Sequence, residues 1–236
     1  IDSLLGRSGV NLELPAIAGS YAGENILVSG AGGSIGSELC RKLLEAKPAT
    51  LVLFEQSEHA LYQIEMELLP AARKAGTRLI AKLGSITDRK LIEQVLGQYA
   101  ISTVFHAAAY KHVPLAENNE LACIRNNVFG TRILAEEAAK AGVRRFTLIS
   151  TDKAVRPTSV MGASKRMAEL VVQDQQARTP ETRFASIRFG NVLGSSGSVI
   201  PLFKKQIEDG GPITVTHENV TRYFMTIPEA VSLVIQ

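Results

Sequence analysis

The chain has no tryptophan and only two cysteines, and aromatic residues make up 6% of its 236 positions. Cys40 and Cys123 are too few for a disulfide framework, and no CxxC pair or cysteine–histidine cluster predicts zinc. Both cysteines lie in apolar helical patterns, so we expect buried free thiols and a reducing compartment. The scarcity of aromatic residues, without a stripe of Lys and Arg, argues against a nucleic-acid-binding module.

Long apolar runs and a strong excess of one charge are absent as well. No stretch of about 18 apolar residues occurs, so nothing in this chain is predicted to span a membrane. The net charge is +3 and 45% of the residues are hydrophobic, which excludes a globally disordered chain. The first residue is Ile1 rather than methionine, so we expect the sequence to be part of a longer protein.

Short apolar segments alternate with segments of helical periodicity along most of the chain. Continuous apolar strands separated by helices predict an α/β fold with a doubly wound, parallel, Rossmann-like sheet. The predicted strands are Asn25–Ser29, Thr50–Phe54, Arg78–Ala81, Thr103–His106, Arg145–Ile149 and Phe184–Arg188. The predicted helices are 34–46, 57–75, one capped by Asp88, a long one over 118–141 that ends at Gly142, and 157–177.

The pattern changes after residue 190, and it divides the chain into three parts. We expect an N-terminal arm over 1–20, a Rossmann domain over 21–190 and, over 191–236, the start of a smaller lobe that this sequence represents incompletely. Within that lobe the pattern predicts a helix over 199–209 and a short strand at Ile213–Val215. Thr226-Ile-Pro-Glu229 then matches a capping box that opens another helix.

A glycine-rich motif, Gly30-Ala-Gly-Gly-Ser-Ile-Gly36, lies between the first predicted strand and helix. Its spacing predicts a dinucleotide-binding loop: Gly30 permits the tight turn, Gly33 lets the backbone approach a diphosphate, and Gly36 lets the helix pack closely. Glu55 ends the second strand, where a carboxylate binds the adenosine ribose hydroxyls and repels a 2′-phosphate. Together they predict NAD rather than NADP as the cofactor.

Two more strand ends carry chemistry. The small residues 107–109 allow a flat ring or ribose to lie against the backbone, whereas His106 before them is interpreted as a packed histidine. None of the histidines has the spacing of a metal site, and we expect no metal. At the fifth strand, Asp152 and Lys153 form an adjacent acid and amine that can divide acid and base work. Met161 and Lys165 share one face of the following helix, from which Lys165 can reach a nicotinamide ribose.

Several ordered blocks carry a resemblance to a known family. They include GAGGSIGSELCRKL (30–43), FHAAAYKHVPLAE (105–117), STDKAVRPTSVMGASKR (150–166) and RFGNVLGSSGSVIPLFKKQI (188–207). The sequence resembles the extended short-chain dehydrogenase/reductases and, among them, the bacterial UDP-N-acetylglucosamine 4,6-dehydratases of polysaccharide and glycan synthesis. The resemblance covers almost the whole chain and implies an NAD-binding sheet with a smaller nucleotide-sugar lobe.

The resemblance implies a dehydration with internal hydride transfer. NAD takes a hydride from sugar C4, a base removes the C5 proton, the C6 hydroxyl leaves as water, and the hydride returns to C6. It assigns Asp152 as the acid at the C6 hydroxyl, Lys153 as the C5 base, and Thr151 as a hydrogen-bonding partner of the C4 oxygen. Lys165 would hold the nicotinamide ribose.

The resemblance also implies the residues that bind cofactor and substrate. Expected cofactor contacts are Gly30, Gly33, Ser34, Ile35, Gly36, Glu55, Ser57, Ser85, Ile86, Ala107, Ala108, Ala109, Asn127 and Lys165. Expected contacts to the nucleotide sugar are Lys111, Asn191, Ser198, Val199, Pro201, Lys204, Val215 and Arg222. Ser85 is a departure, since many relatives have an aspartate there, so a charged contact to the adenine is missing.

Met161 is the informative departure from the superfamily pattern Tyr-x-x-x-Lys. A thioether can act as neither acid nor base, so the C4 hydroxyl proton must leave through Thr151, Asp152, Lys153 or water. One interpretation is a degenerate site that only binds NAD and a UDP-sugar. The favoured one is the methionine-bearing dehydratase branch, whose members are thought to retain the configuration at C5. A UDP-sugar C4 epimerase is a further alternative, although it has no evident need for the Asp152–Lys153 pair.

The resemblance also predicts partners and location. We expect UDP-N-acetylglucosamine as substrate, no nucleic acid, and a homo-oligomer formed through helices. A cytoplasmic domain is implied. Where longer relatives carry membrane helices upstream, it would lie on the cytoplasmic face of the bacterial inner membrane.

Overall fold

A computed structural model describes residues 19–195, 199–215, 217 and 221–236. Six parallel strands form one sheet: β1 (Asn25–Ser29), β2 (Thr50–Glu55), β3 (Arg78–Leu83), β4 (Thr103–His106), β5 (Arg145–Thr151) and β6 (Arg183–Phe189). Their order across the sheet is β3-β2-β1-β4-β5-β6. The sheet therefore reverses its winding between β1 and β4, as a doubly wound fold does, and the predicted fold class is confirmed.

Helices cover both faces of this sheet and bury two separate apolar cores. The helices are α1 (Ser34–Glu45), α2 (Glu58–Ala75), α3 (Arg89–Gln98), α4 (Val113–Glu117), α5 (Glu120–Ile124), α6 (Thr131–Lys140), α7 (Val160–Arg178), α8 (Val199–Glu208) and α9 (Ile227–Ile235). One core joins β1 and β2 to α1, α2 and the C-terminal α9. The other joins β1, β4 and β5 to α3, α6 and α7.

Polar side chains begin several of these helices, as their sequences predict. Asp88 Oδ1 accepts a hydrogen bond from the backbone N–H of Leu91 at 3.1 Å at the start of α3. The capping box at α9 is reciprocal. Glu229 N–H donates to Thr226 Oγ1 at 3.1 Å, and Thr226 N–H donates to Glu229 Oε2 at 2.8 Å. No helix among these described residues is long and apolar enough to cross a membrane.

The helix predicted over 118–141 is present but irregular. Its middle, Arg125–Gly130, is a π-helix that joins α5 to α6. Polar groups explain the wide turn, because the Asn127 side chain is drawn to the backbone of Tyr110 and the hydroxyl of Thr131 donates to Asn127 O at 2.6 Å. Gly142 follows the helix with φ +71°, which confirms its predicted capping role.

The prediction of a strand at Ile213–Val215 is wrong. Thr214 instead pairs with α8: its N–H donates to Gln206 Oε1 at 3.1 Å, and Gln206 Nε2 donates to its hydroxyl at 2.7 Å. A short parallel pair forms elsewhere, between β7 (Asn191–Val192) and β8 (Phe224–Met225). The domain boundary at residue 190 stays a prediction, and the predicted N-terminal arm lies almost wholly outside the described residues.

Candidate active site

A cavity of about 720 Å³ opens at the carboxyl edge of the sheet. This is the edge where α/β sheets bind ligands, at the point where the strand order reverses. A smaller cavity of about 240 Å³ adjoins it, since Gly33, Ala107 and Ala109 line both. The larger cavity extends towards the ends of β5 and β6, and the smaller one reaches Glu55 at the end of β2. The two together form one elongated site.

The glycine-rich loop lines both cavities and leads into α1. Gly30 has φ +70°, and a Cβ there would lie 2.7 Å from the backbone of Ala108. A Cβ on Gly36 would lie 2.0 Å from Gly30 O, so this position too excludes a side chain. Gly33, Ser34, Ile35 and Gly36 line the larger cavity, which places the N-terminus of α1 beside it. A helix N-terminus in this position favours an anionic group such as a diphosphate.

Glu55 is held in one orientation at the far end of the smaller cavity. Its Oε2 accepts a hydrogen bond from Gly32 N–H at 3.1 Å, and its Oε1 accepts from Gln56 N–H at 2.9 Å and Ser57 N–H at 3.0 Å. Ile86 and residues 107–109 line the same cavity. The carboxylate therefore lies where a ribose diol is expected.

Three of the predicted cofactor residues form hydrogen bonds within the protein through their side chains. Ser57 caps α2 by accepting from Ala60 N–H at 3.3 Å, and Ser85 Oγ bonds to Thr87 Oγ1 at 2.8 Å. Asn127 holds the turn after β4, because its Oδ1 accepts from Tyr110 N–H at 2.8 Å and its Nδ2 donates to Tyr110 O at 2.9 Å. Their contacts to a cofactor stay predictions.

Thr151, Asp152 and Lys153 lie together where β5 ends in a short 3-10 helix, Asp152–Ala154. Thr151 Oγ1 donates to Asp152 Oδ1 at 2.9 Å, and Lys153 Nζ donates to the same oxygen at 3.2 Å. Lys153 Nζ also donates to Asn191 Oδ1 at 3.1 Å. Thr151, Lys153 and Asn191 line the larger cavity. The structure thus brings a carboxylate, an amine and a hydroxyl into one hydrogen-bonded cluster, of which Asp152 itself lines neither cavity.

Lys165 and Met161 line the same cavity from α7. Lys165 is buried, and its Nζ donates to Ile149 O at 2.6 Å. Burial lowers the pKa of Lys165 to about 8, although the negative charge of Glu169 opposes the shift. Met161 is 4% exposed and packs with Ala116 and Cys123. The thioether of Met161 has no proton to give to a substrate.

The substrate residues predicted from the resemblance divide into two groups. Lys111 and Asn191 line the larger cavity, and burial lowers the pKa of Lys111. The structure does not bring the other described side chains to either cavity, and they are exposed: Pro201, Lys204, Val215 and Arg222. Val199 begins α8, and Ser198 lies outside the described residues. The roles of these six residues stay predictions.

Sequence reasoning missed a buried ionic cluster around Glu169, next to the site. The carboxylate is 1% exposed and accepts hydrogen bonds from Ser150, Arg166 and Arg188. Burial opposes its ionisation, but these donors outweigh burial and lower the pKa of Glu169 to about 2. Ser150 and Arg188 are each 19 residues from Glu169, so no local pattern connects them.

His106 is a packed residue, as interpreted from the sequence. Its Nδ1 lies 2.7 Å from Ser29 Oγ and its Nε2 lies 2.8 Å from Thr131 Oγ1. Burial and, to a smaller extent, the charge of nearby Lys165 together lower the pKa of His106 to about 3. Across the described part of the chain, no group of three or more His, Cys, Asp or Glu could hold a metal ion. Cys40 and Cys123 are buried free thiols, as predicted.

The fold and this site define the class of protein. A doubly wound sheet, a glycine-rich loop at α1 and a buried lysine on α7 beside the end of β5 are those of an extended short-chain dehydrogenase/reductase, which confirms the resemblance. Residues 26–236 match the family model described as polysaccharide biosynthesis protein. The chain belongs to that family.

Named relatives agree with this assignment. The chain is 48% identical to the capsular polysaccharide biosynthesis protein CapD of Staphylococcus aureus, with 100% of this chain and 39% of the relative covered. It is 33% identical to a UDP-N-acetylglucosamine 4,6-dehydratase (inverting) of Campylobacter jejuni, covering 91% of this chain and 63% of that protein. DesIV, a dTDP-glucose 4,6-dehydratase from Streptomyces venezuelae solved with NAD and TYD bound, superposes with a TM-score of 0.77 at 25% identity, covering 89% and 70%. The chain thus spans less than two thirds of the length of either curated relative.

Proposed function

We propose that this chain carries the catalytic site of an NAD-dependent UDP-N-acetylglucosamine 4,6-dehydratase for bacterial surface polysaccharide or glycan synthesis. The product is the UDP-2-acetamido-2,6-dideoxy-4-keto-hexose, with the configuration at C5 retained. One observation carries the proposal: Asp152, Lys153 and Thr151 form a single hydrogen-bonded cluster beside the cavity that the glycine-rich loop and Lys165 also line. The relative from Campylobacter jejuni supports the substrate class.

The residues present fit a dinucleotide. The backbone at Gly30 and Gly36 leaves no room for a Cβ, and α1 begins beside the cavity, so the chain provides a diphosphate cradle. Glu55 would bind the adenosine ribose and disfavour a 2′-phosphate, so NAD is proposed over NADP. Lys165 would hold the nicotinamide ribose. When bound, NAD supplies the hydride acceptor for sugar C4 and the hydride donor for C6.

The acid and base steps are assigned to the cluster at the end of β5. Thr151 binds the C4 oxygen, and the hydroxyl proton there leaves through Thr151, Asp152, Lys153 or water because Met161 cannot take it. With a ketone at C4 the C5 proton is acidic, and Lys153 removes it as the neutral amine. Asp152, protonated for this step, gives its proton to the C6 hydroxyl, which leaves as water. Lys153 Nζ lies within hydrogen-bonding distance of both Asp152 and Asn191, which supports placing the acid and the base side by side at this strand end.

Two other functions use parts of the same site. A UDP-sugar C4 epimerase would share NAD and C4 oxidation but requires no acid at C6, so the Asp152–Lys153 pair favours the dehydratase. A binding protein without catalysis would explain Met161 but leaves that hydrogen-bonded pair without a purpose. The three functions predict different outcomes for one substrate: loss of water, a C4 epimer without loss of water, or binding without turnover.

The test incubates the purified chain with NAD and UDP-N-acetylglucosamine in D₂O and follows the sugar by NMR and mass spectrometry. The dehydratase gives a 4-keto sugar that has lost water and carries deuterium at C5, and comparison of its NMR spectrum with standards of both C5 epimers reports retention or inversion. A C4 epimer without loss of water identifies the epimerase. Binding of both ligands without turnover, in this chain and in a C-terminally extended one, contradicts the proposal and identifies a binding domain.

Location and assembly belong to the same proposal. The proposed location is the cytoplasm, and it is the cytoplasmic face of the bacterial inner membrane where a longer protein carries upstream membrane helices. A homo-oligomer formed through helices is proposed as well, and sedimentation of the full-length protein tests it.

A further inference from the structure

Glu169 lies on α7, one helical turn after Lys165, and it has no direct place in the proposed chemistry. Its carboxylate is 1% exposed and receives four hydrogen bonds. The donors are Ser150 Oγ to Oε1 at 2.6 Å, Arg188 Nε to Oε1 at 2.7 Å, Arg188 Nη2 to Oε2 at 2.6 Å and Arg166 Nη1 to Oε2 at 3.1 Å. A buried charge with so many donors needs an explanation beyond surface ion pairing.

The donors connect Glu169 to the two strands that end in the site. Ser150 and Arg188 are register partners on the adjacent strands β5 and β6, and both reach the same carboxylate. Thr151 follows Ser150 directly, and Asn191 lies three residues after Arg188. Lys153 and Asn191 then bond to each other at 3.1 Å. Glu169 therefore fixes both strands where they reach the cavity, which Ser150, Thr151 and Asn191 line.

The same helix is attached to β5 a second time. Lys165 Nζ donates to Ile149 O at 2.6 Å, and Ile149 is the residue before Ser150. Lys165 and Glu169 on α7 thus hold consecutive residues of β5. Any slide of α7 along the sheet would break both contacts, so the pair sets the distance between Lys165 and the cluster at Thr151, Asp152 and Lys153.

We infer that Glu169 is a positioning residue of this site: it joins α7 to β5 and β6 and so holds Lys165 in place opposite Lys153 and Asn191. The inference rests on the proposed function for its meaning in catalysis. It also has an electrostatic part, because the carboxylate charge favours the ammonium form of Lys165 and raises the pKa that burial lowers.

The other groups around Lys165 do not replace that charge. His106 on β4 has a pKa lowered to about 3 by burial, so it is neutral at working pH. Cys123 lines the cavity from α5 and raises the pKa of Lys165 less than Glu169 does, and Lys153 lines the cavity from the end of β5. Arg166 and Arg188 bind the carboxylate on its other side. Removing the charge of Glu169 should therefore move the titration of Lys165 to lower pH.

The test compares Glu169→Gln, which keeps the shape and removes the charge, with Glu169→Asp, which keeps the charge and shortens the reach. Three readouts are taken on the NAD-loaded chain: the titration of the Lys165 carbon-13 Cε signal, assigned with Lys165→Arg; kcat and KM for UDP-N-acetylglucosamine; and thermal unfolding. Glu136→Gln is the matched control, because Glu136 also lies between two arginines, Arg89 and Arg132, but on α6 and outside both cavities.

We expect kcat to fall by about 100-fold in both Glu169 variants, with KM nearly unchanged, since small misplacements of reacting groups cost about that much. The Lys165 titration should move to lower pH in Glu169→Gln and stay in place in Glu169→Asp and Glu136→Gln. If Glu169 has a purely structural role, its substitution should lower the unfolding temperature without shifting the Lys165 titration in Glu169→Gln relative to Glu169→Asp. A folded Glu169→Gln variant with unchanged kcat and unchanged Lys165 titration overturns the inference.

A second variant covers the case in which Glu169→Gln does not fold. Ser150→Ala removes one donor and leaves the charges in place, and it should lower kcat several-fold without moving the Lys165 titration. Unchanged kcat in this variant also overturns the inference. If the wild-type chain shows no dehydration, the proposed function fails, and the Lys165 titration alone still decides whether Glu169 controls that lysine.

Discussion

At the scale of single residues, the site separates groups that can carry a proton from one that cannot. Asp152 and Lys153 are 52% and 41% exposed at the end of β5, so solvent can reach both, and they lie within 3.2 Å of each other. Met161 lines the cavity from α7, is buried and offers only a thioether. Proton transfer in the proposed reaction must therefore depend on the end of β5 and not on Met161.

This division predicts opposite results for two conservative substitutions. Asp152→Asn removes the proton donor while keeping its shape, and loss of water from UDP-N-acetylglucosamine should slow by about 100- to 10,000-fold. Met161→Leu conserves volume and loses no proton, so turnover should stay within about tenfold of wild type. Mass spectrometry of the nucleotide sugar measures both. Asp174→Asn, in an exposed ion pair at the far end of α7, is the control for Asp152. If Met161→Leu lost as much turnover as Asp152→Asn, the separation between proton-carrying groups and Met161 would be contradicted.

At the scale of secondary-structure elements, the approach of α7 to the 3-10 helix after β5 depends on Gly162. A Cβ on Gly162 would lie 2.4 Å from the carbonyl oxygen of Lys153. Gly162→Ala should therefore push Lys153 away from the cavity, lower kcat by about 100-fold and destabilise the fold by about 1–3 kcal/mol through overpacking. Turnover and urea unfolding measure the two effects.

Gly97→Ala provides the matched helical control for that substitution. Gly97 lies within α3, and no atom lies within 4 Å of a Cβ placed on it. Alanine there should stabilise the protein by up to about 1 kcal/mol through helix propensity and leave turnover unchanged. If both alanines have the same effect, contact with Lys153 is not the reason for glycine at 162.

The elements also show which features local sequence can predict. The glycine-rich loop and Glu55 are separated along the chain by one helix and one strand, and the spacing between them is enough to predict that they come together. The helix caps at Asp88 and Thr226 use side chains three residues from the groups they bond, so the local sequence is enough to predict them. The π-helix at Arg125–Gly130 follows from the contact of Asn127 with Tyr110, and the Glu169 cluster depends on how α7 packs across β5 and β6. Such contacts join distant segments, and no periodicity within one segment indicates them.

At the scale of the whole molecule, the carboxyl edge of the sheet, where the cavities lie, contains a buried titratable residue, His106. Ser29 and His106 are register partners on β1 and β4, where the strand order reverses, and the His106 ring joins them to Thr131 at the start of α6. Ala107, the residue after His106, lines both cavities. Charging this ring would place a cation where the fold provides no carboxylate within the described hydrogen bonds.

Global stability should therefore depend on the protonation of His106. Its pKa is about 3 in the folded protein and about 6.5 in an unfolded chain, so between these values the unfolded chain binds the extra proton. The free energy of unfolding then falls as the pH falls, by about 2 kcal/mol from pH 7 to pH 5. Urea unfolding at the two pH values measures it. His106→Asn should be less stable at pH 7 but lose much less on acidification, whereas the exposed His59→Asn should keep the wild-type pH dependence. Equal pH dependence in all three proteins would show that another group is responsible.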